Sequence, residues 1–281
     1  MIETIFIPTY GRVDKQVTYD HLPKKWQKRS ILLTNAEETK ILSDRGYPAQ
    51  FCEAQGHIGA VRQWIKDNAK GKYAVFDDDL IEFVYTARPS ERSKYRLVNT
   101  PINGPRLEPG FEDHFDRMMD EMSAHLDDVV ACCAQTTWIP PFEEDYKEPF
   151  RMSGNHFFNA DTLPKDIVNF QVSGCAEDFY YVLQLCTNGY PVRVHQRWRV
   201  RPANTAEAGG CDTYRTIDIH NEAMEQLARD YPEYVRLKEK VAKVGEWGGK
   251  PKLAANIQWK KALKDGMSKV PDDNSLDELF G

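Results

Sequence analysis

The stretch KGKYAVFDDDLIEFV, from Lys70 to Val84, places three consecutive aspartates directly after a run of apolar residues. An apolar run without polar alternation is typical of a strand that is buried on both faces of a parallel sheet. Carboxylates at the carboxyl end of such a strand lie where open α/β sheets bind their ligands. Because adjacent like charges repel one another, Asp77, Asp78 and Asp79 raise the question of what they hold.

Two interpretations of the three aspartates are open. Strand alternation predicts that Asp77 and Asp79 lie on one side, with Asp78 pointing away. Two carboxylates on one side raise each other's pKa unless a cation neutralises them. Mg²⁺ and Mn²⁺ prefer such oxygen ligands and commonly bring substrate phosphates with them. The alternative is a turn cluster, because aspartate is common where strands end.

The segments before the aspartates alternate between strand-like and helix-like patterns. TIFIP (Thr4–Pro8) and SILLTN (Ser30–Asn35) are short apolar runs that predict two further buried strands. Residues 36–46 and 56–71 have helix-like patterns, each ended by a glycine. This alternation predicts an α/β fold, with a mainly parallel sheet flanked by helices.

The second half of the chain is less regular. Residues 87–110 are rich in Pro, Gly and basic side chains and are predicted to form a long loop. A helix from Glu177 is predicted to be followed by an edge strand that ends at His195. We expect one domain over residues 1–212, then a basic, helical C-terminal extension over residues 213–281 with an acidic tail.

Charge is unevenly distributed along a chain whose net charge is −6. Residues 236–269 contain ten Lys and Arg against three acidic residues, and residues 85–106 contain five against Glu91 alone. Such stretches indicate either a positive surface that faces a polyanion or the solvated faces of Lys-rich helices. No signal peptide or membrane span is apparent, and the six cysteines form no CxxC pair, so we expect a cytoplasmic protein with reduced thiols.

Four motifs occur in a particular order: IPTYGR at a strand end, GHIGAVR at a helix start, FDDD at a strand end and AEDF at a second helix start. Together, over roughly Glu3 to Val200, they resemble the GT-A glycosyltransferases, which are nucleotide-sugar enzymes with a DxD motif. The resemblance implies a GT-A, Rossmann-like fold, a Mn²⁺ or Mg²⁺ cofactor and a nucleotide-sugar donor, most commonly a UDP-sugar.

The resemblance also implies the residues of the donor site. Asp77 and Asp79 would be the DxD pair that grips the ribose and the metal-bound diphosphate. Arg62, in the GHIGAVR motif, would contact the donor nucleotide or the first aspartate. The remaining donor contacts would come from Pro8, Thr9, Tyr10, Gly11, Arg12 and Asp78.

Two further roles follow from the same resemblance. Asp178, in the AEDF motif, would deprotonate the acceptor hydroxyl, which implies inversion at the anomeric carbon. His195 would be a further metal ligand, although a histidine in a strand is often structural and His156 and His57 are alternatives. Trp198 is a candidate for contacting the acceptor, whereas Trp138 is interpreted as a core residue.

For the acceptor, the short chain and the two basic stretches resemble the phage TET-associated DNA glycosyltransferases. That resemblance implies double-stranded DNA containing 5-hydroxymethylpyrimidines, whose target base must be swung out of the helix. The candidates for contacting acceptor or DNA are Arg88, Arg92, Arg96, Trp198, Lys260 and Lys261. The alternatives are a GT-A enzyme that acts on a polysaccharide, glycolipid or protein, and a nucleotidyltransferase or nucleotide-binding module. The oligomeric state is left open.

Overall fold

The computed structural model describes residues 1–54, 57–91, 99–173, 175–203, 215–241 and 249–269. In these residues a ten-stranded sheet forms the centre of the molecule, with strand order β3-β2-β1-β4-β9-β7-β10-β5-β6 and with β8 paired to β10. Its strands are β1 (Thr4–Pro8), β2 (Ser30–Thr34), β3 (Ala49–Phe51), β4 (Lys72–Phe76), β5 (Leu80–Thr86), β6 (Asn99–Pro101), β7 (Ala131–Thr136), β8 (Tyr146–Lys147), β9 (Asn155–Asn159) and β10 (Val192–Pro202).

Strand direction determines which residues meet at one edge of the sheet. Strands β1, β2 and β4 are mutually parallel, and β7 is parallel to β10. Strand β9 lies antiparallel between β4 and β7. The carboxyl ends of β1, β4 and β7 therefore share an edge with the residues that lead into β9. The aspartates follow β4 at that edge.

Helices cover both faces of the sheet. They are α1 (Val17–His21), α2 (Lys24–Gln27), α3 (Ala36–Asp44), α4 (Ile58–Asn68), α5 (His114–His125), α6 (Glu177–Thr187), α7 (Ile217–Asp230) and α8 (Trp259–Met267). One apolar cluster packs α4 and α6 against the sheet, and a second packs α2 and α5 against the opposite face. Large buried side chains in the second cluster, such as Trp26 and Phe115, each contribute about 1.5–3 kcal/mol to folding. The predicted α/β fold with a mainly parallel sheet is confirmed.

The C-terminal segment differs from the prediction. Strands β11 (Val235–Val241) and β12 (Pro251–Ile257) form an antiparallel pair that packs against α7, so the segment is not wholly helical. The signal is present in VRLKEKV, where Val235 and Leu237 alternate with Arg236 and Lys238 in the period of two of a half-buried strand. Lysine richness obscured that alternation. The acidic tail and the predicted boundary at residue 212 lie outside the described residues.

Two other features of the fold matter for the site. Strand β10 runs on to Pro202 and lies between β7 and β5, so it is not the predicted edge strand that ends at His195. Helix α8 packs on α6 so closely that a Cβ at Gly266 would clash with the carbonyl oxygen of Cys186. In the described part of the chain, no helix is both long enough and apolar enough to cross a membrane.

Candidate active site

The three aspartates occupy the turn from β4 into β5. The backbone N–H of Asp77 donates to the carbonyl oxygen of Gly154 over 2.9 Å. The Thr18 hydroxyl donates to the carbonyl oxygen of Asp77 over 2.6 Å and accepts from the N–H of Leu80 over 2.8 Å. Both ends of the turn are therefore held, and the side chains of Asp77, Asp78 and Asp79 project from a fixed backbone.

Asp78 faces the loop that follows β1. It is buried, its Oδ2 accepts from the Thr9 hydroxyl over 3.0 Å, and its Oδ1 pairs with Arg12. Burial raises the pKa of Asp78 to about 6, although Arg12 and the hydrogen bond from Thr9 lower it. Asp78 thus supports the loop, and its contacts are with different residues from those of Asp77, as strand alternation predicts.

The loop itself leaves one ring accessible. Thr9 donates its N–H to the carbonyl oxygen of Leu33 over 2.9 Å, and Gly11 donates its N–H to Oε1 of Glu38 over 2.8 Å. Gly11 has φ of 68°, a conformation that glycine adopts without strain. Between these two anchors Tyr10 is 51% exposed.

Asp77 contacts the helix α4. Oδ1 of Asp77 accepts from Nη2 of Arg62 over 2.8 Å, and Oε1 of Glu177 accepts from Nη1 of the same arginine over 2.6 Å. Arg62 is 6% exposed. Burial by itself would lower the pKa of Arg62, but Glu177 and then Asp77 raise it above its ordinary value. One buried cation therefore joins the first aspartate to the start of α6.

Glu177 is a site residue that the sequence analysis did not assign. Burial raises the pKa of Glu177 to about 7, and the adjacent Arg62 opposes that shift. Its partner Arg62 lies 115 residues away in the chain, so no local sequence pattern predicts the pair. The only signal in the sequence is the adjacent acid pair in AEDF.

Asp178 lies in the first turn of α6, beside Glu177. Its Oδ1 accepts from the N–H of Phe179 over 2.9 Å. Its Oδ2 is 3.7 Å from Nη2 of Arg151, and its side chain is 16% exposed. The first aspartate and the predicted base are therefore linked through Arg62 and Glu177.

The residues of the turn fit a divalent cation. Burial raises the pKa of Asp79 to about 7, and the charges of Asp77 and Asp78 raise it further in the same direction. The side chain of Asp77 is 36% exposed. Mg²⁺ and Mn²⁺ prefer carboxylate oxygens as ligands, and a cation would offset the neighbouring charges that oppose ionisation of Asp79, so the donor set of Asp77 and Asp79 suits the ion that the resemblance implies.

His195 does not join the aspartates. In the described residues, one group of three or more His, Cys, Asp or Glu side chains has its ligand atoms within 4.8 Å of one another, and it consists of Glu121, His125 and His195. Nε2 of His195 lies 2.7 Å from Oε1 of Glu121 in α5. His195 therefore belongs to a different cluster, on the α5 side of the sheet, because β10 continues past it as an interior strand.

The two alternative histidines have structural contacts. The ring of His57 accepts from the N–H of Ala60 over 3.3 Å and caps α4. His156 is buried, with Nδ1 2.6 Å from the hydroxyl oxygen of Tyr181. Neither belongs to the group of three side chains whose ligand atoms converge.

The two tryptophans have the opposite environments from those predicted. Trp198 is 2% exposed, and its indole N–H donates to Oε2 of Glu121 over 2.5 Å, so it is a core residue and offers no surface to an acceptor. Trp138, which was interpreted as core, is 62% exposed in the turn after β7. That turn is held by the buried Arg199, which donates to the carbonyl oxygen of Thr136 over 2.7 Å.

The basic candidates lie at the surface where the structure describes them. Arg88 donates to both carboxylate oxygens of Asp145, over 3.1 and 2.7 Å. Lys260 and Lys261 are exposed on α8, and Lys261 pairs with Asp265 over 2.9 Å. Arg92 and Arg96 lie outside the described residues.

Comparisons with known proteins identify the family of the chain. A family model described as TET-Associated Glycosyltransferase matches residues 3–210. Two curated proteins named Beta-glucosyl-HMC-alpha-glucosyl-transferase, from Enterobacteria phages T6 and T2, are each 29% identical and cover 85% of this chain and 86% of their own length.

Two solved structures resemble the chain at low sequence identity. A structure of S. aureus TarS, residues 1–349, has a TM-score of 0.44 at 10% identity and covers 82% of this chain and 65% of its own. A CMP:2-keto-3-deoxy-manno-octonic acid synthetase complexed with CTP has a TM-score of 0.40 at 9% identity and covers 83% and 99%. Likenesses at this level carry no argument. The family match spans most of the chain, and the protein therefore belongs to the TET-associated glycosyltransferases and is a nucleotide-sugar-dependent glycosyltransferase.

Proposed function

We propose that this glycosyltransferase moves a sugar from a UDP-sugar, bound with Mn²⁺ or Mg²⁺, to a 5-hydroxymethylpyrimidine in double-stranded DNA. The observation that carries the proposal is the chain of ion pairs from Asp77 through Arg62 to Glu177, next to Asp178. It connects carboxylates suited to a donor's metal with a carboxylate suited to an acceptor's hydroxyl. The DNA acceptor is supported by the relatives in phages T6 and T2, whose name specifies a glucosylated HMC.

The donor would be held by two sets of residues. Asp77 and Asp79 would hold the divalent ion, and Tyr10 offers an exposed ring on which the nucleotide base can stack. Asp78 holds Thr9 and Arg12, the residues on either side of Tyr10 and Gly11. When bound, the ion would act as a Lewis acid that offsets the charge developing on the departing diphosphate. Arg62 orients the first aspartate through their 2.8 Å ion pair before the donor arrives.

The acceptor hydroxyl would be activated by Asp178. As the hydroxyl oxygen bonds to the anomeric carbon, the bond to the diphosphate breaks and the hydroxyl proton passes to the Asp178 carboxylate. Oδ1 is occupied by the N–H of Phe179, so Oδ2 is the atom that takes the proton. General base catalysis of this kind contributes roughly 10²–10⁴ in rate.

We propose inversion at the anomeric carbon, with Asp178 acting from the side opposite the leaving group. The relatives' name describes an α-glucosyl product, which an inverting enzyme forms only from a β-linked donor. The anomeric configuration of the product relative to the donor tests this point directly. Retention would assign Asp178 another role, without affecting the identity of the acceptor.

Binding to DNA would use positive charge at the surface. Arg88, Lys260 and Lys261 would contact phosphates without reading sequence, with Arg92 and Arg96 as further candidates in the segment outside the described residues. The target base would be swung out so that its hydroxyl reaches Asp178. An acceptor in phage DNA would place the reaction in the host cytoplasm.

The test is incubation of the protein with Mn²⁺, a panel of nucleotide sugars and three DNA substrates. These are unmodified DNA, DNA containing hydroxymethylated bases and DNA whose hydroxymethyl groups already carry glucose. After digestion to nucleosides, mass spectrometry should show the mass of one sugar added to a modified nucleoside and none added to unmodified DNA. Absence of transfer to every DNA, together with transfer to a polysaccharide, glycolipid or protein, would replace this proposal with the alternative acceptor class.

A further inference from the structure

A line of alternating aromatic and cationic side chains passes Asp178, and we call it the cation–aromatic strip. Its members are Phe142, Lys147, Phe150, Arg151, Phe179 and Trp259. Nζ of Lys147 lies 3.3 Å from the ring centroid of Phe142 and 5.8 Å from that of Phe150. Each member is partly exposed, and Phe150, Phe179 and Trp259 also pack against the apolar core, so the strip lies at the edge of the core and is open to solvent.

The other half of the strip encloses the predicted base. Cζ of Arg151 lies 4.6 Å from the ring centroid of Phe179, the residue directly after Asp178. The Phe179 ring is nearly parallel to that of Trp259, at 12°, with centroids 6.4 Å apart. Trp259 begins α8, and Lys260 follows it on the exposed side of that helix.

The segment that follows Arg151 reaches the aspartates. The residues after Arg151 lead to Gly154, whose carbonyl oxygen accepts from the N–H of Asp77. A Cβ at Gly154 would lie 3.9 Å from Oδ2 of Asp77. The strip therefore passes Asp178 on its way to α8, and the segment that follows Arg151 connects it to the carboxylates assigned to the donor.

Arg151 has hydrogen-bonding capacity that its surroundings do not use. Its Nη2 is 3.7 Å from Oδ2 of Asp178, which is an ion pair beyond hydrogen-bond distance. Its Nε is buried, and no described residue accepts a hydrogen bond from it. The side chain is 41% exposed, so an anion can approach the guanidinium from solvent.

We infer that the cation–aromatic strip binds the DNA strand that carries the acceptor base, with Arg151 contacting the phosphate next to that base. Surfaces that bind unpaired nucleic acid combine cations for the backbone with aromatic rings on which bases stack. The inference rests on the proposed function and adds the surface that positions the acceptor. A donor diphosphate is the competing partner of Arg151, but Arg151 contacts Asp178 and Phe179 and not the Pro8–Arg12 loop.

Arg151→Gln tests the inference, because glutamine keeps a polar hydrogen-bonding group on a shorter side chain but removes the charge. We expect the KM for hydroxymethylated DNA to rise roughly tenfold and the slope of log affinity against log salt to fall by about 0.9. The Kd for the donor, measured by calorimetry with Mn²⁺, should not change. Arg151→Lys should restore the salt slope, which a merely structural role would not predict. Lys147→Gln should act in the same direction with a smaller effect.

Arg117→Gln is the matched control, because Arg117 is exposed on α5, against the opposite face of the sheet. It should retain wild-type KM and salt slope. Unchanged KM and salt slope in Arg151→Gln would overturn the inference. A weaker donor Kd with unchanged DNA binding would also overturn it and assign Arg151 to the diphosphate. Failure of the proposed function is separate, since it would appear as absence of transfer to DNA by the wild-type protein.

Discussion

Two clusters of acids and bases, one on each face of the sheet, look equally suited to a metal when judged by composition. The first contains Asp77 and Asp79 with Arg62 and Glu177, and the second contains Glu121, His125 and His195. In the second, Glu121 uses both oxygens, one with Nε2 of His195 at 2.7 Å and one with the indole N–H of Trp198 at 2.5 Å. Burial opposes its ionisation, but the hydrogen bond with His195 lowers the pKa of Glu121 to about 2.

The two clusters also differ in where their protons lie and in how readily their carboxylates ionise. Nδ1 of His195 accepts from the backbone N–H groups of Arg197 and Trp198, over 3.1 and 3.2 Å. Nε2 must then carry the proton that is donated to Glu121, and a metal at Nε2 would have to displace it. In the first cluster, by contrast, the pKa of Asp79 is raised to about 7. Glu121 already accepts hydrogen bonds that stabilise its charged form, so it has little need of a cation. Asp79 lies among other carboxylates and is buried, so a cation would stabilise its charged form.

If chemistry belongs to the first cluster, the largest effect should come from Asp178→Asn. The change keeps size and the hydrogen bond from the N–H of Phe179 but removes the proton acceptor, so kcat should fall roughly 10²–10⁴-fold. Donor affinity, measured by calorimetry with Mn²⁺, should stay at the wild-type value. Turnover near the wild-type rate would rule out Asp178 as the base.

Arg62→Met tests the buried cation of the first cluster. Two carboxylates, Asp77 and Glu177, would lose their shared partner, and removing one partner from a buried pair costs about 3–5 kcal/mol. The free energy of unfolding from urea titration should fall by that amount. Arg193→Met is the comparison, because Nη1 of Arg193 lies 2.9 Å from Nδ1 of His125 at the second cluster. Its effect should be smaller, since its partner Asp128 has a side chain that is 67% exposed. If the two variants lost the same free energy of unfolding, the buried ion pairs of Arg62 would contribute no more to stability than those of Arg193.

Asp79→Ala tests which cluster holds the ion. Loss of a metal ligand should weaken Mn²⁺-dependent donor binding by about 100-fold or more, since loss of a supporting contact alone costs 10–100-fold. Calorimetry with and without Mn²⁺ measures the difference. Glu121→Gln, from the second cluster, should leave the Mn²⁺ dependence intact. The reverse result would move the metal to Glu121, His125 and His195.

How much of this the sequence could predict depends on the range of each interaction. The position of β4, and the placing of three acids directly after it, follow from local periodicity. The aspartates lie in the turn after β4, where Asp78 contacts other residues than Asp77 does. Glu177 could not be assigned, because its partner is 115 residues away. The exchanged environments of Trp198 and Trp138 have the same origin, since a tryptophan is buried or exposed by the packing of distant elements, here α5 against β10.

The smallest prediction separates the clusters by the sign of their pH dependence. Burial, together with the nearby charge of Arg193, lowers the pKa of His125 to about 4. Between pH 6.5 and 4 the unfolded chain binds more protons at this position, so its contribution to stability falls as pH falls. Asp79, with a pKa raised to about 7, behaves oppositely, because the folded state binds more protons between pH 7 and 4. Relative to wild type, His125→Gln should therefore lose less free energy of unfolding from pH 6.5 to pH 4.5, and Asp79→Asn should lose more. If both variants lost more free energy of unfolding than wild type over this pH range, or both lost less, the assigned difference between the two clusters would be contradicted.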